Sequence, residues 1–265
     1  MQAVLSEQEF RQFQGMISSV AGISLSKEKM ALVSGRLAKR LHHYRLQSYG
    51  AYFELLKSPS ELQVAVDLLT TNETYFFREP KHFDFLRSTV LPPLTRVSRA
   101  VRVWSGASSS GEEIYTIAMV MADVLGERPW DILGSDISTR VLDQARQGVY
   151  PMERAKDISP DHLRKYCLKG VAAQGGNFII DKPLRARTRF QQINLNTALP
   201  ALGEFDVIFL RNVMIYFDVA TKRQVLARLL PLLRSGGYFF VSHSESLNGI
   251  TGDLKMISPS IYRKP

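Results

Sequence analysis

Val103-Trp104-Ser105-Gly106-Ala107-Ser108-Ser109-Ser110-Gly111-Glu112-Glu113 decides the fold. Val101 to Trp104 is a short β-type run, and Glu112 to Leu125 is an apolar stretch of helical length. The small residues between them let a ligand approach the backbone, and the helix start offers free N–H groups. A Gly-rich turn alone marks any nucleotide-type domain, so the two carboxylates at the helix start say more. A phosphate site avoids a carboxylate aimed at its ligand, because like charges repel, whereas a ligand with an ammonium group favours one. Ser110-x-x-Glu113 also reads as a capping box, so Glu112 and Glu113 both stay candidates.

Moving downstream, Asp131 to Ser135 is a second strand ending at Gly134-Ser135-Asp136. An acidic residue at that tip, 25 residues after Gly111, is where α/β nucleotide binders hold ribose hydroxyls. The alternative is that Asp136 caps the next helix, a place that Ser138 already fills, with the helix running to about Gln147. Asp206 to Leu210 is a continuous apolar strand, Ala220 to Leu233 a helix and Gly237 to Ser242 another strand. This alternation predicts an α/β fold with a doubly wound, mostly parallel, Rossmann-like sheet. Residues 151–193 are irregular, with β-prone pieces at Phe178 to Ile180 and Arg187 to Ile193, and are expected to form an inserted small β-subdomain.

Upstream, residues 1–72 read as a small helical domain in front of a catalytic domain at 73–265. Ser6-Glu7-Gln8-Glu9 is a capping box, followed by Phe10, Phe13, Ile17 and Val20 at helical spacing. A second helix is expected from about Lys27 to Tyr44, with Met30, Val33, Leu37 and Leu41 on one stripe. Its other face carries Lys29, Arg36, Lys39, Arg40 and Arg45, which in an ordinary helix would be solvated surface. Glu61 to Leu69 is a last short helix after Ser58-Pro59-Ser60. At the junction, Thr70 to Pro80 sets three aromatics beside Asn, Thr and Arg in a stretch that is neither clean helix nor clean strand. It is either a ligand site or an aromatic plug between domains.

Of the 265 residues, 45% are hydrophobic and 22% charged, enough for a sizeable core. Cys167 is the only cysteine, which excludes an intrachain disulfide and a Cys-built zinc site. No apolar run approaches the roughly 18 residues that span a bilayer, and the longest candidate, Phe205 to Phe217, is broken by Arg211. Met1 to Phe10 lacks the apolar core of a signal peptide, so a cytoplasmic protein is expected. The net charge of +9 favours an acidic partner, whether nucleic acid, anionic lipid or protein.

Five motifs then occur in order: Asn72-Glu73-Thr74-x-Phe76-Phe77-Arg78; Val103-Trp104-Ser105 with Gly111-Glu112-Glu113; Ser135-Asp136-Ile137; Phe205 to Phe217, which contains Arg211-Asn212-Val213-Met214-Ile215-Tyr216-Phe217; and Gly236-Gly237-Tyr238-Phe239-Phe240 with His243-Ser244-Glu245-Ser246. Together they resemble the chemotaxis receptor methyltransferase family, CheR, over nearly the whole chain. Ser110, Ile114 and Leu210 depart from the family's usual Thr, Pro and Cys, and none of these changes removes a group that the chemistry needs.

The resemblance implies S-adenosylmethionine as cofactor, S-adenosylhomocysteine as product and glutamate side chains of chemoreceptors as substrate. By the same resemblance Asn72, Thr74 and Arg78 contact the cofactor, as do one of Glu112 and Glu113, Asp136 on the ribose, Asn194-Leu195 on the adenine side and Leu210-Arg211 at the fourth strand. Tyr216 matches the tyrosine near the transferable methyl group, and Arg36, Lys39, Arg40 and Arg45 match the helix that recognises acidic receptor helices. Tyr216, Arg211 and Arg78 are thus expected to serve catalysis, on a monomer associated with receptor arrays.

A glutamate carboxylate, with an ordinary pKa of about 4.3, is already ionised and needs no general base. The protein has to align the reactants and exclude water, so neither a catalytic triad nor a metal is expected. The charge alone would also suit a nucleic-acid methyltransferase, but Leu210-Arg211-Asn212-Val213 stands where an Asn/Asp-Pro-Pro-Tyr/Phe loop would be needed, so no nucleic acid is expected as partner. A receptor-binding module without catalysis is a further alternative, opposed by Arg78, Asp136 and Tyr216. Gly170 to Asn177 is either a docking loop for a receptor tail peptide or a plain hairpin connection.

Overall fold

The computed structural model describes residues 3–265. Its strands are β1 (Val101–Ser105), β2 (Trp130–Asp136), β3 (Val149–Pro151), β4 (Cys167–Lys169), β5 (Asn177–Ile180), β6 (Thr188–Gln192), β7 (Phe205–Phe209), β8 (Leu233–Phe240), β9 (Lys255–Ser258) and β10 (Ile261–Arg263). Seven make one sheet in the order β6-β2-β1-β7-β8-β10-β9. The first five of that order run parallel, and β10 pairs antiparallel with both β8 and β9. All of β7 is buried, which is why it reads as an unbroken apolar run: helices cover both faces of the sheet. Because β1 lies between β2 and β7, the strand order reverses there, and the crevice at their carboxyl ends is where such sheets bind ligands.

Helices α1 (Glu7–Ala21), α2 (Met30–Tyr44), α3 (Tyr49–Leu55) and α4 (Pro59–Leu69) pack around a separate core that includes Phe13, Ile17, Val33, Leu37 and Tyr52. The capping box of α1 forms as expected, with Ser6 and Glu9 exchanging bonds. Sequence reading missed α3, although Ser48 caps it and Tyr49, Tyr52 and Leu56 recur at helical spacing. The remaining helices are α5 (Pro80–Phe85), α6 (Leu91–Leu94), α7 (Glu112–Leu125), α8 (Thr139–Gln147), α9 (Pro160–Tyr166), α10 (Lys182–Arg185) and α11 (Val219–Leu229). α11 stops short of the expected Leu233, since Pro231 lacks the N–H that would continue it and Leu233 already opens β8.

The inserted small sheet has the order β3-β5-β4, and Gly170 to Asn177 is the connection within its β4-β5 hairpin. The expected extent of 151–193 needs correction. Thr188–Gln192 pairs in parallel with β2 and belongs to the main sheet. The reason is electrostatic as well as backbone pairing: Arg102 of β1 and Arg189 of β6 flank Asp131 of β2 at 3.2 and 3.3 Å on one face.

The two helical and α/β parts are tied by helix ends. Ser138 does not cap α8 with its side chain, contrary to expectation. Asp67 of α4 does so instead, accepting from the Thr139 backbone N at 3.1 Å, from Thr139 Oγ1 at 2.9 Å and from the Arg140 backbone N at 3.4 Å. In return, Asn194 and Asn196 donate to the Val20 and Ser19 carbonyls in the last turn of α1, at 2.7 and 3.1 Å. Asp67→Ala should therefore lower stability by about 1–2 kcal/mol, the usual worth of a helix cap. Chemical denaturation with an unchanged midpoint would show that the cap across domains carries no weight.

Candidate active site

A cavity of about 450 Å³ lies at the carboxyl ends of β1, β2 and β7, and the helical domain roofs it with Ile23, Leu25, Lys29 and Arg36. Asn72, Thr74 and Arg78 enter it from the junction segment. Glu113 and Asp136 line it from the first two strand-to-helix turns, and Asn194, Leu195, Arg211 and Tyr216 line the remaining side. Glu112 and Leu210, both fully buried, are not part of the lining. Thus most of the residues expected from sequence converge, from segments far apart in the chain.

The Asp136 carboxylate accepts from the backbone N of Ser109 at 3.0 Å and of Ser138 at 2.9 Å. Burial pushes its pKa up, while these N–H groups oppose the rise. Each oxygen keeps a lone pair for a ligand hydroxyl. The turn beneath it is tight: a Cβ on Gly106 would sit 3.0 Å from Leu210 Cδ1, so a larger residue there would press into the floor. Ser109 Oγ donates to the Asn72 carbonyl at 2.7 Å and joins this turn to the junction segment.

Glu113 settles which acid faces the cavity. Its oxygens accept from Ser105 Oγ and Arg211 Nη1, each at 2.7 Å, so it forms no capping box. Glu112 points away to Ser110 and Arg154. Arg211 also donates to the Arg78 carbonyl at 2.6 Å and lies 3.1 Å from Glu79 Oε2, with its guanidinium over the Phe83 ring. Asn194 donates from its side chain to the Val20 carbonyl of the helical domain, and Asn194 and Leu195 both line the cavity.

Glu245 is a site residue that sequence reading quoted without a role. Its carboxylate accepts from the backbone N of Ser242, Asn212, Val213 and Ile215 at 2.8 to 3.2 Å. It thereby holds the loop that delivers Tyr216, whose carbonyl also accepts from Ser24 N of the helical domain at 2.8 Å. The signal was a carboxylate in a Ser-rich turn directly after an apolar strand, with no Lys or Arg beside it in the chain. Glu79, His82 and His243 bring possible ligand atoms within 4.8 Å of one another, the one such group among the described residues. Arg211 already lies against the same Glu79 oxygen, and its charge opposes a cation there. Burial, with Arg211 and His243 nearby, pushes the His82 imidazole down to about 3, so it is neutral near pH 7.

Residues 72–263 match the family model "CheR methyltransferase, SAM binding domain", and residues 8–70 match "CheR methyltransferase, all-alpha domain". Chemotaxis protein methyltransferase 2 of Pseudomonas aeruginosa is 41% identical over 261 residues, covering 97% of this chain and 93% of that protein. The chemotaxis protein methyltransferase of Escherichia coli is 39% identical over 264 residues, covering 97% and 91%. That of Borreliella burgdorferi is 36% identical over 256 residues, covering 92% and 89%.

The basic face of α2 is less uniform than its sequence. Arg36 lines the cavity and donates to the Leu69 and Thr70 carbonyls at 2.8 and 3.1 Å. Arg40 grips the buried Glu61 with two bonds of 2.6 and 2.8 Å, while Lys39 and Arg45 are exposed. Burial raises the Glu61 pKa, but bonds from Arg40, Tyr52 and Tyr44 outweigh it and hold the carboxyl below its ordinary value. Arg40→Ala, which strands that carboxylate, should destabilise the helical domain by about 2–3 kcal/mol, somewhat less than a fully buried pair. An unaltered melting curve would contradict this pairing.

Proposed function

The chain belongs to the CheR methyltransferase family, and on that premise we propose that the cavity between its two domains aligns S-adenosylmethionine with a receptor glutamate. The protein is an S-adenosylmethionine-dependent protein-glutamate O-methyltransferase of chemoreceptors. One observation carries the site reading: Asn72, Thr74, Arg78, Glu113, Asp136 and Tyr216 line one cavity. Its volume of about 450 Å³ suits a single nucleoside-sized ligand.

The lining fits the cofactor group by group. Asp136 offers two oxygens at the place of a ribose diol, and Ile137, Leu195 and Ile23 give an apolar slot for a flat ring. Glu113 suits an ammonium, and the Arg78 guanidinium, which among the described residues makes one hydrogen bond, to the Glu73 carbonyl, suits a carboxylate. When bound, S-adenosylmethionine supplies a methyl group activated by its sulfonium. The chain's own work is to hold, orient and dehydrate. Tyr216 would face the substrate carboxylate, which is ionised near neutral pH and needs no base, while Arg78, holding the cofactor's carboxylate, would keep the donor in line with it. Arg211, locked between Glu113, Glu79 and the Arg78 carbonyl, would act through those neighbours and not on the substrate directly.

The partner we propose is the acidic methylation helix of a chemoreceptor, met by Lys39 and Arg45 on the open part of the α2 face. With Arg36 and Arg40 engaged inside the domain, fewer cations of that face are free than its sequence implies. The small sheet offers its β4 edge to a receptor tail peptide, with Leu168 exposed there. We place the protein in the cytoplasm, at receptor arrays and as a monomer; no helix among the described residues is long and apolar enough to cross a membrane.

Two outcomes follow. Asp136→Ala should weaken S-adenosylmethionine binding by about 1–3 kcal/mol, roughly 5- to 150-fold, for two lost charge-assisted bonds. Calorimetry giving full affinity with an unchanged circular dichroism spectrum would remove Asp136 from the cofactor site. Methyl groups placed on receptor membranes should leave as methanol in mild base, as esters do; base-stable label would mean transfer to nitrogen.

A further inference from the structure

The small sheet reaches the cavity walls through Arg154, which follows β3 in a 3-10 turn. Arg154 Nη1 donates to Glu112 Oε1 at 2.5 Å and to the Thr74 carbonyl at 3.0 Å. Glu112 is fully buried at the start of α7, and its other oxygen accepts from Ser110 Oγ at 2.7 Å. Arg154 is its one cationic partner among the described residues. Nearby, Tyr150 Oη donates to the Ser110 carbonyl at 2.7 Å, and the rings of Phe76, Tyr150 and Phe178 pack together. The inserted sheet therefore grips both segments that wall the cavity: the junction at Thr74 and Phe76, and the first turn at Ser110 and Glu112.

We propose that Arg154 is a positioning residue that sets cofactor affinity from outside the cavity and couples the inserted sheet to cofactor binding. The proposal rests on the reading that this cavity holds S-adenosylmethionine. Thr74 and Glu113 line the cavity, and Arg154 fixes the carbonyl of the one and the chain neighbour of the other. An exposed ion pair would matter little, but this pair has one end in the interior. Without Arg154 the Glu112 carboxylate loses its cation and keeps the Ser110 hydroxyl and its own backbone N–H, so either it takes up a proton or the helix start shifts to find water. Both move the backbone next to Glu113. Coupling is reciprocal: if the sheet helps to order the cofactor walls, cofactor must steady the sheet.

The test uses the full chain with S-adenosylhomocysteine as probe. Arg154→Gln should weaken binding by about 5- to 100-fold, the ordinary range of coupling between sites. Glu112→Gln added to it should restore part of the affinity, because the stranded charge is gone. In hydrogen exchange, the probe should slow residues 149–180 in the unaltered protein and fail to do so in Arg154→Gln. The proposal is overturned if Arg154→Gln binds as well as the unaltered protein, or if the probe protects the sheet equally in both. It is also overturned if the lost affinity only follows a lowered melting temperature that the double variant does not reverse. Asp136→Ala keeps the two readings apart: weak binding there with full binding in Arg154→Gln sinks this proposal alone, whereas full binding in Asp136→Ala sinks the cavity reading.

Discussion

Everything around the cavity depends on one buried guanidinium. Arg211 leaves the end of β7 and is held by Glu113 at the start of α7, by Glu79 before α5 and by the Arg78 carbonyl between them. A buried charge without partners is prohibitively unfavourable, so these three segments must meet for any of them to be folded. The arrangement is bought with strained backbone: Phe77 and Glu79, on either side of Arg78, and Asn212, next to Arg211, all have left-handed φ values. Strain of this kind persists only where neighbours over-determine it. Glu245 is one such neighbour, since its four backbone donors leave the loop after Arg211 little freedom.

The parts legible in the sequence are those whose meaning is local. The turn after β1, the acid at the tip of β2 and the apolar run of β7 each report their role through spacing over a few residues. Spacing could not separate Glu112 from Glu113, because successive helix residues project about 100° apart and the sequence does not say which direction is inward. Nor could it show that Arg36 and Arg40 are engaged, as their partners lie 33 and 21 residues away. β6 was assigned to the wrong sheet for the same reason: its β-propensity was visible, but its partner, the outer edge of β2, was not.

The helical domain roofs the cavity and is also the proposed recognition element. Its α1 end and the Ser24 backbone press on the Asn194 side of the cavity and on the loop of Tyr216, while α2 turns one cation inward and leaves others outside. The domain proposed to read the receptor thus also shapes the cofactor space, and the two tasks share one short helix.

That sharing bears on how such proteins can diversify. Asn194 and Asn196 close the end of α1, and Asp67 closes the start of α8, so each domain completes the other's backbone hydrogen bonding. Wholesale exchange of the helical part between relatives would open both helix ends unless these three residues travelled together. With Lys39 and Arg45 as the proposed receptor contacts, drift toward new receptors is easier there, on the outward rim and at the end of α2, where side chains can change without disturbing the seam. Substrate range in this architecture should therefore evolve residue by residue on one helix face and not by shuffling of modules.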